Sequence, residues 1–312
     1  MPLKAIMYHY VRPEDQEFPY FKCLQVEDFV RQLDWFADNI GFAGKSEFLS
    51  ALRGGPLPDG VVLTFDDGFK DHYEYVLPEL KRRGLWGIFY IPTAPLRDGT
   101  LLNVHKTHLL LGRFDASDVA ARLRQSIHDE MIDGRRWEEF RNSTYLWQQN
   151  HDDALYVKRM LNYFVSYKYR SFVLSELMDF FFGTHCGELA RSFYMTQEQM
   201  KCLRDSGMLL GSHSVSHPVM SRLPIGEQEG EICDSFLALE EFLAPLQPRT
   251  FCYPYGGRHT FSKETETLLT RHGVLFSFAV EPAAIDLHHM RRRPQALPRY
   301  DCNMFPHGQC RK

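Results

Sequence analysis

The stretch Val61-Val-Leu-Thr-Phe-Asp-Asp-Gly68, VVLTFDDG, sets two carboxylates directly behind an apolar run rich in β-branched and aromatic residues. Such a run reads as a buried strand. After it, Tyr73, Val76, Leu77 and Leu80 recur at helical spacing, and the segment closes with Lys81-Arg-Arg83 and Gly84, the basic last turn and glycine of a helix C-terminus. Gly87-Ile-Phe-Tyr-Ile91 is the next strand. Strand, helix, strand in this order implies parallel strands with the helix outside. Sheets of this kind collect their chemistry at the carboxyl ends of strands, which is where Asp66 and Asp67 stand.

The same alternation extends in both directions. Upstream, KAIMYHYV reads as a strand, and Phe29, Leu33, Phe36 and Ile40 mark an amphipathic helix ended by Gly41. Downstream, strand signals thin out, and helical faces such as Val157, Met160, Leu161, Phe164 and Leu174, Leu177, Met178, Phe181 dominate. The expectation is one α/β domain over 1–312 with a helical insertion at about 97–195. Long additions to such a scaffold belong on loops around the active face, so the insertion is expected to cover that face and shape substrate choice. Alternation then resumes. Thr196 and Gln199 form a capping box, the helix ends at Gly207, and Met208–Gly211 is a strand. Ile232, Phe236, Leu239 and Phe242 line a helix, Thr250–Tyr253 is a strand, Ser262 caps a helix ending at Gly273, and Val274–Val280 is again a strand.

Composition narrows the function. With 312 residues, 44% hydrophobic and 24% charged, the chain is globular and no apolar run reaches the length of a membrane span. The start, MPLKAIMYHYVRPEDQ, lacks the basic, apolar and small-residue sequence of a secretory leader, so a cytoplasmic protein is expected. Seven cysteines, odd in number and without a CxxC pair, argue against a disulfide framework. A net charge of −4 with mixed signs gives no basic stripe for nucleic acid.

Three strand ends carry candidate chemistry. Asp66 and Asp67 form either a turn pair or, if Gly68 lets the chain double back, two acids in one pocket. The stretch LLGSHSVSHP, 209–218, offers His213 and His217 at a spacing that suits metal ligands or two ordinary loop histidines. One Asp and two His make a set that suits zinc or a similar divalent ion with a position left for water. The strand TFCY ends in Pro254-Tyr255-Gly-Gly257, a turn that exposes backbone N–H groups.

TFDDG at 64–68, HSVSHP at 213–218 and YPYGG at 253–257, in that order, resemble the motifs of the polysaccharide deacetylase family, the NodB-homology or carbohydrate esterase family 4 group. The resemblance implies a distorted (β/α) barrel of fewer than eight repeats and metal-dependent hydrolysis of an N-acyl group from an amino sugar. It implies that Asp67, His213 and His217 hold Zn2+ or another divalent ion, that Asp66 is the general base, and that the Tyr255 N–H stabilises the oxyanion. Two departures stand out. Cys252 occupies the place of the third motif's arginine, and neither the tryptophan-bearing fourth motif nor the LxxH motif is recognisable. Members with an early Tyr-His strand and a late Leu-Pro-Arg are more similar, which points to Met7-Tyr-His-Tyr10 and Leu297-Pro-Arg-Tyr300. On that basis His9 is the expected general acid, with His105 of NVHKTH as its rival. Arg299 is expected to replace the missing arginine by reaching Asp66 from a final strand beside the first. The substrate class is an amino sugar, free, nucleotide-linked or lipid-linked, in surface-glycan or lipopolysaccharide precursor synthesis. N-deformylation, cyclic-amide hydrolysis and non-catalytic sugar binding are the alternatives.

Overall fold

The computed structural model describes residues 2–134, 137–145, 151–183 and 186–310. Seven strands form one parallel sheet: β1 (Lys4–Tyr8), β2 (Val61–Phe65), β3 (Gly87–Ile91), β4 (Leu209–Ser212), β5 (Thr250–Cys252), β6 (Phe276–Phe278) and β7 (Tyr300–Asp301). The order is β6-β5-β4-β3-β2-β1-β7, so each crossover from β1 to β6 lands on the neighbouring strand, the last one carries the chain from β6 to the far side of β1, and the sheet curls into a (β/α) barrel. Closure comes from the segment entering β7. Leu297 bridges Phe278 of β6 in parallel, and Tyr300 and Asp301 pair with Ile6 and Met7 of β1. Arg299 therefore sits between the first and last parts of the barrel wall.

Two apolar clusters separate the faces of this wall. Ile6, Tyr8, Leu63, Phe65, Phe89 and Ile91 pack outward with Phe29, Leu33 and Phe36 of the helix Val26–Asn39. Ala5, Val62, Ile88, Tyr90, Cys252, Phe276 and Phe278 pack in the other cluster. Alternation along each strand produces the division. Gly211 is needed here, because a Cβ at that position would lie 2.6 Å from the Tyr90 ring and 2.7 Å from Thr250. Gly84 ends the helix Leu77–Arg83 in the left-handed conformation, as its sequence signals indicate.

The described residues divide into two compact units. The barrel unit is Met1–Pro13, Cys23–Arg97 and Phe193–Arg311. The other unit joins Asp98–Ser192 to Glu14–Lys22, a loop the sequence gives no reason to associate with it. Its helices Asn103–Arg113, Ala116–Ser126, Asp152–Arg159 and Tyr167–Phe182 bury Leu109, Leu110, Val119, Leu123, Val157, Leu174 and Leu177. In the last of these helices Phe182 is buried and Phe181 is only partly so, one position off the expected face. Differences in the barrel unit are small. A helix at Lys45–Ala51 goes unread in the sequence, and the sixth strand is shorter than its apolar run. No described helix is long and apolar enough to cross a membrane.

Candidate active site

Register decides which side chains meet. Tyr8, Phe65 and Phe89 are aligned across β1, β2 and β3, and their rings stack at 5.2 Å and 4.7 Å on the outer face. The residues one step further on, His9, Asp66 and Tyr90, therefore turn inward. Asp67 and Gly68 both adopt left-handed backbone, with φ of 76° and 63°. Two such residues in succession swing the second carboxylate back toward the first. Among the described residues seven non-glycine positions have positive φ, and four of them, Asp67, Ser214, His217 and Tyr255, lie in the three strand-end turns carrying the sequence motifs. Each such residue costs on the order of 1–3 kcal/mol, and this strain gathers at the pocket.

Asp66 is buried and clamped. Arg299 donates to it through both arms, Nη1 to Oδ1 and Nη2 to Oδ2, each at 2.8 Å. Nη1 also donates to Thr64 Oγ1 at 3.0 Å, and Nη2 lies 2.9 Å from Cys252 Sγ. The Cys252 thiol, pushed well above its usual range by burial, donates to Asp66 Oδ2 at 3.5 Å. Burial pushes the Asp66 carboxyl up, but Arg299 and then His213 outweigh it and hold the group at about 2. The small thiol on β5 leaves room for a guanidinium arriving from the segment that enters β7, so the arginine is supplied from another place in the wall.

Asp67 meets different surroundings. His213 Nδ1 lies 2.7 Å from the Cys252 carbonyl oxygen. A carbonyl only accepts, so Nδ1 carries the proton and Nε2 of the neutral ring presents a lone pair. Burial holds His213 below its ordinary value, which keeps the ring neutral. His213 Nε2 and His217 Nε2 each lie 3.5 Å from Asp67 Oδ1. One carboxylate oxygen and two imidazole nitrogens, atom types that ligate metals, lie within 4.8 Å of one another. This donor set fits zinc or a similar divalent cation. Asp66, His213 and Cys252 form a second group within the same span. It is the poorer one, because Arg299 occupies Asp66 and the Cys252 thiol keeps its proton.

His9 completes the inner face. Its Nε2 lies 4.0 Å from Asp66 Oδ2 and 3.9 Å from Asp67 Oδ2, and its side chain is 38% exposed. Tyr255 packs its ring edge-on against His217 with centroids 4.9 Å apart. His105, the rival proton donor, is buried in the helix Asn103–Arg113 of the other unit. Two contributors escape the sequence reading. Thr64 joins the Arg299 fork, and its single hydroxyl in an otherwise apolar strand is a readable signal. His72 donates from Nε2 to the His9 carbonyl at 2.7 Å and so fixes the backbone beneath His9. Burial pushes the His72 imidazole down to about 4.

Residues 155–276 match the family model for polysaccharide deacetylase. That span holds the second and third motifs but begins after TFDDG, which the fold brings to the same pocket. The structure is similar to the deacetylase PplD of Streptococcus pyogenes in complex with acetate, at 16% identity and a TM-score of 0.59 over 96% of this chain and 92% of that one. It is also similar to a de-N-acetylase from Aggregatibacter actinomycetemcomitans, at 14% identity, TM-score 0.54, and 96% and 94% coverage. The deacetylase domain of BpsB from Bordetella bronchiseptica gives 13% identity, TM-score 0.54, and 96% and 95% coverage. Compared with curated proteins, the sequence finds no match. The family model thus matches the part of the chain from 155 to 276, and the structural likenesses show a shared fold.

Proposed function

We propose that the protein is a divalent-metal-dependent N-deacetylase that hydrolyses the acetamide of an amino sugar in a glycan or glycan precursor. The observation that carries this reading is the division of labour between neighbours. Asp67 converges with the imidazoles of His213 and His217, while Asp66, one residue away, is held by Arg299 as a separate carboxylate. Asp67, His213 and His217 would hold the ion, which when bound supplies Lewis acidity to a carbonyl oxygen and makes water more acidic. Asp66 takes the proton from the water that attacks the amide carbon, with Arg299 fixing the direction of its lone pairs. The Tyr255 N–H, beside His217, donates to the oxygen that becomes negative. His9 gives a proton to the nitrogen as the C–N bond breaks, releasing acetate and an amine. A sugar-binding barrel without chemistry has no use for a buried, oriented acid next to a ligand set.

The family match and the deacetylases similar in structure support acetyl as the leaving acyl group. The test is amine release by the zinc-loaded protein from N-acetyl and N-formyl amino sugars, free, oligomeric and nucleotide-linked. Release from N-acetyl substrates is expected. Preference for the N-formyl series would move the reading to a deformylase, and no release from any substrate at full metal loading would overturn it.

A further inference from the structure

We infer that Glu231 is a positioning residue for the metal centre, holding the turn between His213 and His217 in the shape that aims His217 at Asp67. The inference rests on the metal reading above. Glu231 lies in the helix Ile225–Leu243, outside every motif of the site. Its Oε2 accepts from Val215 N at 2.8 Å and from Ser216 N at 2.9 Å, and its Oε1 accepts from Ser216 Oγ at 2.6 Å. One carboxylate thus collects three donors from two successive residues of the turn. Hydrogen bonds to an ionised acceptor are the strong ones.

The turn needs such a partner. Ser214 and His217 both stand at left-handed φ, 65° and 58°, a conformation that persists only where the surroundings over-determine it. The turn's other backbone donors are met by nearby hydroxyls: Ser214 N donates to Ser212 Oγ at 3.1 Å and His217 N to Ser214 Oγ at 3.0 Å. Ser212 Oγ in turn meets Ser235 Oγ at 2.5 Å, one helical turn beyond Glu231. Four consecutive N–H groups, 214 to 217, therefore end on side-chain oxygens. Glu231 is the one charged acceptor among them. Without it, the first histidine keeps its anchor at the Cys252 carbonyl, but the second must be ordered again each time metal binds. The loss should appear in metal affinity more than in the stability of the metal-free barrel.

Zinc affinity measured by competition with a chromophoric chelator, alongside the melting midpoint of the metal-free protein, tests this in wild type, Glu231→Gln, Glu231→Ala and His217→Ala. Glu231→Ala should weaken zinc binding roughly 10- to 100-fold, the usual loss for a group that orients a ligand. Glu231→Gln, which keeps one acceptor oxygen, should weaken it less, and the metal-free melting midpoint of both should stay close to wild type. Unchanged zinc affinity in both Glu231 variants, with binding lost in His217→Ala, would overturn the role of Glu231 and leave the metal site intact. Failure of the wild-type protein to bind zinc would overturn the metal reading, and this inference with it.

Discussion

Asp66 and Asp67 are the same residue type, adjacent in sequence and both buried, yet the two halves of the pocket treat them oppositely. The Asp66 half is rich in hydrogen-bond donors: two guanidinium arms and a thiol point at one carboxylate. The Asp67 half is rich in electron pairs, since the nitrogens that face its Oδ1 at 3.5 Å belong to imidazoles, one of which must carry its proton on the far side. A donor-rich surrounding is complete with protein groups alone. On the proposed reading, the other is completed by a cation. Role is therefore assigned by surroundings, and the left-handed backbone at Asp67 is the local device that sends neighbouring side chains into different surroundings.

Removing the acid of the donor-rich half should have the largest effect. Asp66→Asn should lower kcat/KM toward the upper end of the roughly 10²- to 10⁴-fold range of proton-transfer catalysis; a variant as active as wild type would erase the distinction between the halves. Arg299→Met should lower kcat/KM by about 10²-fold and, by stranding a buried carboxylate, destabilise the protein by about 3–5 kcal/mol. Combining Arg299→Met with Asp66→Asn should recover part of that stability in denaturant titrations, because no charge is then left unpaired. Additive losses in the double variant would mean that the pair does not act as a unit. His9→Ala should cost about 10²-fold in kcat/KM with the fold and metal affinity kept, and full activity would pass the proton-donor role to His105 or another group.

The smallest effect sharpens what burial alone does to an imidazole. His72 is held at about 4 in the folded protein, against about 6.5 in an unfolded chain. Its folded value is depressed, so the unfolded state takes the proton first as pH falls. Stability present above about pH 6.5 is then lost progressively down to about pH 4. Between pH 7 and 5 the wild-type protein should lose about 2 kcal/mol more than His72→Gln in metal-free denaturation. Equal losses would show that His72 is not the group titrating.

Much of this was legible before any coordinates. The strands behind TFDDG, HSVSHP and YPYGG could be read because each is a short apolar run bounded by turn residues, and their carboxyl ends fixed where to look. The fork of Arg299 was reachable by asking what stands in for the residue replaced by Cys252. What escaped depends on contacts between distant elements. Glu231 looks like any solvent-facing glutamate of a long helix, because sequence periodicity does not show that a strained turn lies against it. Glu14–Lys22 carries no signal of belonging with Asp98–Ser192, since loop composition says nothing of tertiary partners. The left-handed backbone at Asp67, His217 and Tyr255 was equally hidden, because these residue types do not announce it as glycine does.

The most direct test is bound metal per protein in Asp66→Asn and Asp67→Asn, purified identically, loaded with zinc and freed of excess. The surroundings described above require Asp66→Asn to retain metal close to one ion per chain and Asp67→Asn to lose most of it. Equal retention in the two variants, or loss in Asp66→Asn alone, would contradict the assignment of the two carboxylates.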